Sequence, residues 1–482
     1  MKEQTMSDKM DNVLSQEGRY AIYRKPAPAA DTYDGILRMT AQRIEFKECV
    51  KVAGIVGAGG AGFPSYAKIA DGVDTVLING AECESLLYTD YTIMRDELRK
   101  VTEGIEYVIE NTTARRGLLC VKEHTGKKLG FFDGQKLSEH TAVKFLPDVY
   151  PMGDEISLIY EATGRSIKAG NLPISVGVIV YNVETVFNIR ESNRHRVAVT
   201  HKWLTIGGNT PKKIVIRVPV GTYVKDIFAR YGIEVPAGNV VLDGGPAMGR
   251  IINAERATVT KTTKALLILP EKLPIIQSRL TGLDVQLRRG SSACCQCTRC
   301  TDLCPRNQLG YPLEPHKLVR VAQGIGTVDA KIYATATMCC GCGICEHAAC
   351  CQGISPRAMI FKLKEELGKA KTRYISDDTV APRDTRPYRM ISSERWKEII
   401  GVSSFDGEAK YAGDFEPDRV EIFMAGHIGV PSIPIVEQGQ HVAAGAKIAN
   451  AADGLSLPQY ASVSGVCVFV DKTKIIIERD KQ

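Results

Sequence analysis

The stretch VAGIVGAGGAGFPSYAKI, residues 52–69, carries Gly57, Gly59 and Gly62 in the spacing G-x-G-x-x-G. In a dinucleotide fold that spacing follows a strand and opens a long helix, with the pyrophosphate at the helix N-terminus. Here the preceding residues, AQRIEFKECVKVAG (41–54), read as a helix. After the loop, Pro64 stands near the start of a short helix, where its missing N–H has no intrahelical partner to lose. The strand-like run DTVLING (74–80) comes only after that. The order is wrong for an NAD fingerprint. Glycines still let backbone N–H groups approach an anion. A phosphate cradle and a plain tight turn therefore both stay open for the motif taken alone.

Working outward, NGAECESLLYTD (79–90) places Asn79, Glu82 and Glu84 just past a strand end. Ligands of α/β sheets bind at that edge, and acidic groups there can accept hydrogen bonds from a ribityl chain or a ribose. PDVYPMGDE (147–155) and VYNVETVFN (180–188) again set polar groups beside strands. From 46 to about 195, strands alternate with helical stretches such as DELRKVTEGIEYVIENT (96–112), the pattern of an α/β layer domain.

The whole chain has 482 residues, too many for one core. Its 44% hydrophobic and 24% charged residues are those of a soluble globular protein. The net charge of +7 is spread thinly, with no basic arm for nucleic acid. No apolar run reaches the ~18 residues of a membrane span. LPISVGVIVYNVETVF (172–187) is broken by Pro173, Asn182 and Glu184. The first 20 residues lack the apolar centre of a signal peptide. A cytoplasmic protein is expected, in which thiols stay reduced. Eleven of its 15 cysteines fall within 294–351, and in a reducing compartment such crowding means metal before disulfide.

Cys294, Cys297, Cys300 and Cys304 follow C-x2-C-x2-C-x3-C-P, the bacterial [4Fe–4S] pattern. Cys339, Cys342, Cys345 and Cys350 repeat it with a final gap one residue longer and Cys351 in place of proline. In two-cluster proteins the fourth cysteine of each run serves the other cluster. The expected sets are therefore Cys294, Cys297, Cys300 and Cys350, and Cys339, Cys342, Cys345 and Cys304. Zinc usually takes paired C-x2-C motifs, so two iron–sulfur clusters are the better reading. Cys295, Cys340 and Cys351 are surplus, each next to a ligand. The intervening PLEPHKLVRVAQGIGTVDAKIYATAT (312–337) reads as helical.

Six segments are expected. They are a polar extension (1–45), the α/β domain (46–198), a compact α+β module (199–266), the helical dicluster segment (285–365), a linker (366–415) and a small β domain (416–482). The last has short strands between glycine turns and resembles a biotinyl/lipoyl-type barrel-sandwich. Its expected hairpin tip, NAADGLS (450–456), lacks the lysine a covalent carrier needs. A structural or docking module is expected there.

GAGGAGFPSYAK, NGAECES, PMGDE and YNVETVFN resemble the flavin-binding subunit of respiratory complex I and the RnfC subunit of the Rnf complex. The order of domains is similar to the cobalamin reductases of propanediol-utilisation microcompartments. In RnfC the barrel lies at the N-terminus instead. The resemblance implies a multidomain α/β and α+β fold. It comprises a Rossmann-like FMN-binding domain, a β-grasp (SLBB) module, a dicluster ferredoxin-like segment and a barrel-sandwich hybrid. FMN would be lined by Gly57, Gly59, Gly60 and Gly62, with Lys68 on its phosphate or ring edge. Asn79, Tyr181 and Asn182 would hydrogen-bond it. Glu82, Glu84, Gly153, Asp154 and Glu155 would lie along the flavin and NADH entry. No catalytic residue is singled out, because the cofactors do the redox chemistry.

The resemblance also implies an NADH-dependent oxidoreductase, with cobalamin or a corrinoid adenosyltransferase as acceptor. Shell or cargo proteins of a bacterial microcompartment, and a second copy of the chain, are further partners to expect, and the compartment lumen a second location. Two alternative functions stay open: the RnfC role in an Rnf-type electron-transport complex, and NADH recycling or electron supply beside a glycyl-radical enzyme. In the second case the N-terminal extension would be an encapsulation helix rather than a tail.

Overall fold

The computed structural model describes residues 46–325 and 329–480. The extension 1–45, with the helix or tail expected in it, lies outside the described residues. The first domain is a parallel sheet of β1 (Thr75–Asn79), β2 (Arg116–Lys122), β3 (Thr141–Leu146) and β4 (Val178–Asn182), ordered β3-β2-β1-β4. The centre of β1, Val76, Leu77 and Ile78, is apolar and buried because both faces are covered, as in most parallel sheets. Leu77, Cys120 and Val180 pack on one side with Leu158 and Ile159. Val76, Ile78 and Leu119 pack on the other with Val101, Ile105 and Val186.

Helix α1 (Phe46–Val52) precedes the glycine loop, and a single 3-10 turn, Ser65–Lys68, follows it. Helix α2 (Thr89–Asp96) and helix α3 (Leu98–Glu110) then lead to β2. α3 buries the stripe Val101, Ile105 and Val108. It lies so close to helix α5 (Val183–His195) that a Cβ on Gly104 would sit 2.2 Å from the Val186 carbonyl oxygen. Between them in sequence, helix α4 (Glu155–Thr163) leads from β3 back toward β4. From β1 the chain moves outward through β2 and β3, then returns to place β4 on the opposite flank of β1. The carboxyl ends of β1 and β4 thus form a topological switch point, the crevice where open α/β sheets bind ligands.

The second domain is a six-stranded sheet. It contains β5 (His201–Gly208), β6 (Ile214–Pro219), β7 (Asn239–Asp243), β8 (Arg250–Ile252), β9 (Ala265–Pro270) and β10 (Lys410–Asp414), ordered β10-β6-β5-β9-β7-β8. Helix α6 (Val224–Tyr231) covers one face through Val224, Ile227 and Phe228. β10 comes from 366–415, the segment expected to be a linker. That segment is largely structured. β10 pairs in parallel with β6, and Ile391–Ser392 pairs with Val149–Tyr150. The helix Ser393–Ile399 buries Trp396, stacked on Tyr150 at 4.3 Å between centroids. The polar sequence hides this because β10 joins the sheet through its backbone, while one tryptophan anchors the neighbouring helix.

In the cysteine-rich region, helix α7 (Leu283–Ala293) runs directly into Cys294. Helices Pro315–Ala322 and Pro356–Lys369 pack through Leu318, Ile360 and Leu363. The C-terminal unit stacks a four-stranded and a three-stranded antiparallel sheet around Val420, Ile448, Cys467 and Ile477.

Candidate functional site

The glycine loop is a short hairpin. Val56 bridges Pro64, the Gly57 amide donates to the Phe63 carbonyl at 2.8 Å, and the Gly62 amide donates to the Gly57 carbonyl at 3.2 Å. Ala58 is pinned on both sides: its amide donates to Thr185 Oγ1 at 3.0 Å, and its carbonyl accepts from Lys202 Nζ at 3.2 Å. Gly59, Gly60 and Ala61 are exposed, and their amides meet no acceptor among the described residues. Gly60 has φ +107° and open space where a Cβ would point. Three successive amides without an internal acceptor leave the loop tip able to donate to an anion.

Four of the expected residues converge on the switch point. Asn79 Nδ2 donates to the Gly153 carbonyl at 2.9 Å, and Asn79 Oδ1 accepts from the Ala81 amide at 3.2 Å. Asn182 caps α5 by accepting from the Glu184 amide, and its Nδ2 donates to Asp90 Oδ2 at 2.8 Å. A Cβ on Gly59 would lie 3.6 Å from Asn182 Cβ, so the loop rests on that side chain. Lys68 is engaged by Glu155 at 2.8 Å and by the Val180 carbonyl at 2.9 Å. Tyr181 is buried, with its hydroxyl donating to the Ser65 carbonyl at 3.2 Å. It braces the loop from behind, with its hydroxyl proton committed to Ser65. Asp154 caps α4 and turns to Arg306, at 2.6 Å.

The acids of NGAECES part company. Glu84 reaches into the second domain, where its Oε2 accepts from the Ala247 amide at 2.8 Å. Glu82 turns inward, with Oε2 enclosed and unpartnered. Burial, then the charge of Asp90, pushes its pKa up to about 8. Beside it lies a buried charge cluster that sequence reasoning missed: Asp90 with Lys264, and Glu184 with Lys202. Lys264 also lies 3.9 Å from Glu184, and none of the four is more than 5% exposed. Asp90 and Glu184 each fall in the first turn of a helix, where acids are commonplace. Only the second domain, by supplying both lysines, makes them special.

The thiols form two nests. Cys294, Cys297, Cys300 and Cys350 line one cavity, with His316 at its wall. Cys297, Cys295 and Cys351 are exposed, with their sulfurs within 4.8 Å of one another. In the second nest Cys304, Cys342 and Cys345 are buried and Cys339 partly so. Cys304 and Cys339 share one apolar cluster, and Cys345 interacts electrostatically with both. The fourth cysteine of each run thus lies with the first three of the other. Burial pushes the Cys300 and Cys304 thiols up to about 12. Thiolates in such places need a metal's charge beside them. Soft sulfur donors, four to a nest, fit iron–sulfur clusters. The backbone amides at the tip of the glycine loop likewise fit a flavin phosphate.

The second nest abuts the loop domain. The Tyr150 hydroxyl donates to the Cys342 carbonyl at 2.7 Å, and Arg306, two residues past Cys304, reaches Asp154.

Comparison with known proteins agrees with this layout. Residues 50–191 match the Nuo51 FMN-binding domain family, 293–355 the 4Fe-4S dicluster domain family and 413–481 the RnfC barrel sandwich hybrid domain family. The C subunit of the proton-translocating ferredoxin:NAD(+) oxidoreductase complex of Clostridium ljungdahlii is 32% identical, over 53% of this chain and 54% of its own. The cobalamin reductase PduS of Salmonella typhimurium is 35% identical over 92% of this chain and 98% of its own. That of Citrobacter freundii is 36% identical over 90% and 96%. No helix among the described residues is long and apolar enough to cross a membrane. With near full-length identity to two such proteins and all three domain families in place, the chain belongs to the PduS cobalamin reductase family.

Proposed function

We propose that the chain is an NADH-oxidising FMN and iron–sulfur enzyme that passes electrons to a cob(III)- or cob(II)alamin acceptor. The observation that carries this reading is the Asp154–Arg306 ion pair, at 2.6 Å. It joins the residue after Gly153, in the cradle, to the chain two residues past Cys304, in the buried nest. FMN when bound accepts two electrons together and releases them singly, which suits one-electron clusters.

The chain's own residues do the rest. The amides of Gly59, Gly60 and Ala61 hold the phosphate. Asn79 and Asn182 orient the ring, and Lys68 with Glu155 borders the entry for NADH. The two sets Cys294, Cys297, Cys300, Cys350 and Cys339, Cys342, Cys345, Cys304 each hold one [4Fe–4S] cluster. Residues 199–266 are read as a β-grasp module. Similarity to the PduS proteins supports a microcompartment setting, with a corrinoid adenosyltransferase as one receiver of the product.

The test is anaerobic purification followed by NADH titration. About eight iron and one FMN per chain are expected, then bleaching of the flavin and NADH-dependent reduction of cob(III)alamin. Bound zinc without iron would overturn the reading. Reduction of ferredoxin with no reduction of cobalamin at all would move the protein toward the Rnf-type reading.

A further inference from the structure

We propose that the exposed thiol nest is the exit for electrons, and that the arginine rim around it docks an acidic electron-carrier protein. This rests on the function proposed above. The two nests differ in burial and in neighbours. Cys304, Cys342 and Cys345 are buried and lie against the loop domain through Tyr150 and the Asp154–Arg306 pair. Cys295, Cys297 and Cys351 are exposed on the opposite nest. Cys300 belongs to that nest and Cys304 to the buried one, with only the short helix Arg299–Asp302 around and between them. An electron entering at the cradle meets the buried nest first and reaches solvent at the exposed one.

Around the exit, arginines outnumber the acids that are not already ion-paired. Arg288 and Arg289 lie in the last turns of α7, which ends at Cys294. Arg299 stands between Cys297 and Cys300. Arg320 lies one turn beyond His316 on its helix, and His316 lines the nest. All four arginines are exposed, and none is ion-paired among the described residues. The nearby acids are occupied: Asp302 by Arg389 at 3.2 Å and Glu314 by Lys317 at 2.6 Å. Asp284 starts α7, about 15 Å from Cys294 at 1.5 Å per residue.

Arginines near the buried nest behave otherwise. Arg306 and Arg357 are buried and held by Asp154 and Glu346. The buried nest has one exposed cation beside it, Lys364, whose Nζ donates to the Cys339 carbonyl at 2.9 Å, whereas the open side carries four exposed arginines. Four charges dispersed over several helices match the surface of a protein better than the single charge of a small acceptor. They would steer it and orient it for transfer.

The experiment uses the full holoprotein, reduced by NADH or by dithionite. The probes are acidic cytochrome b5, basic cytochrome c and free cob(II)alamin. Cytochrome b5 should be reduced about tenfold more slowly as ionic strength rises from about 20 to about 200 mM. The Arg288→Glu/Arg289→Glu variant and the Arg320→Glu variant should each slow it at low salt and weaken its direct binding to the unreduced protein. Cytochrome c should respond with the opposite sign, and cob(II)alamin should not respond. Iron content and flavin bleaching by NADH should be unchanged in the variants. Equal rates in wild type and variants, with dithionite as the reductant, would overturn the docking surface. So would equal slowing of cytochrome b5 and cob(II)alamin. A protein that NADH cannot reduce would instead count against the proposed function, and the dithionite arm would still decide this one.

Discussion

Glu82 offers a test of the buried charge cluster through its protonation. Its Oε2 is enclosed without a partner, and the nearest lysine, Lys264, is already taken by Asp90. Burial first and the Asp90 charge second hold the folded pKa at about 8, against 4.5 for an ordinary glutamate. The folded pKa is raised, so between those values the folded chain holds a proton that the unfolded chain has lost. Stability then falls with pH, by about 1.4 kcal/mol per unit. No penalty exists below pH 4.5, and it is complete once pH passes 8. Discounting for the part of the residue that solvent reaches, the sum is about 3–5 kcal/mol. Glu82→Gln removes the titration and keeps the shape. Chemical denaturation of the two proteins, followed by a probe in the first domain, should give matching stabilities below pH 4.5. By pH 8 the variant should be the more stable by a few kcal/mol. Parallel pH profiles from 5 to 8 would refute the argument, because they would mean that Glu82 ionises as freely in the fold as outside it.

Lys202→Met should lower stability by about 3–5 kcal/mol, because Glu184 is left buried without its closest cation. Adding Glu184→Gln should recover much of that loss in denaturant titrations. Thr185→Val strands the Ala58 amide that anchors the glycine loop, a cost of about 1–3 kcal/mol. A fluorescence titration should show FMN binding weakened about tenfold, and unchanged affinity would mean that the loop is not the cradle. Iron analysis should fall from about eight to about four per chain in Cys297→Ser and in Cys339→Ser, but stay at about eight in Cys295→Ser and Cys351→Ser. A loss confined to the second pair would move the ligand register onto the surplus cysteines.

What could be read in advance depended on whether a residue's role was local. The strand Thr75–Asn79 announced itself by its apolar centre Val76-Leu77-Ile78, and the cysteine runs by spacing that chemistry dictates. The switch point followed from alternating strands and helices, and with it the meeting of Asn79 and Asn182. Roles set from far along the chain were silent. Lys202 and Lys264 look like ordinary strand lysines until the second domain folds over Asp90 and Glu184. The packing of Tyr181 was equally silent: its ring lies in the core of the first domain and its hydroxyl donates to Ser65, 116 residues earlier in the chain. Lys410–Asp414 contains too little apolar surface to suggest a strand, and only the free edge of β6 creates one.

The glycine motif itself divides by function. Gly59 and Gly60 stand at the open tip, where a ligand could approach. Gly62 does not: it has φ +68°, and a Cβ there would come within 2.7 Å of Thr262 Cγ2. Its carbonyl accepts from the Ile428 amide of the C-terminal barrel at 2.9 Å. Gly54, before the loop, repeats the arrangement, with φ +66° and a would-be Cβ 3.0 Å from the Pro458 carbonyl oxygen. Its own carbonyl accepts from Lys261 Nζ at 3.0 Å. Both ends of the hairpin are thus clamped by the second domain and the barrel together, while the tip is left free. That gives the barrel a purpose without a carrier lysine. It backs the loop, and under the proposed function that would preorganise the three exposed amides and lower the entropic cost of holding an anion. The third glycine of this G-x-G-x-x-G spacing is therefore required by domain packing, whatever the open tip binds.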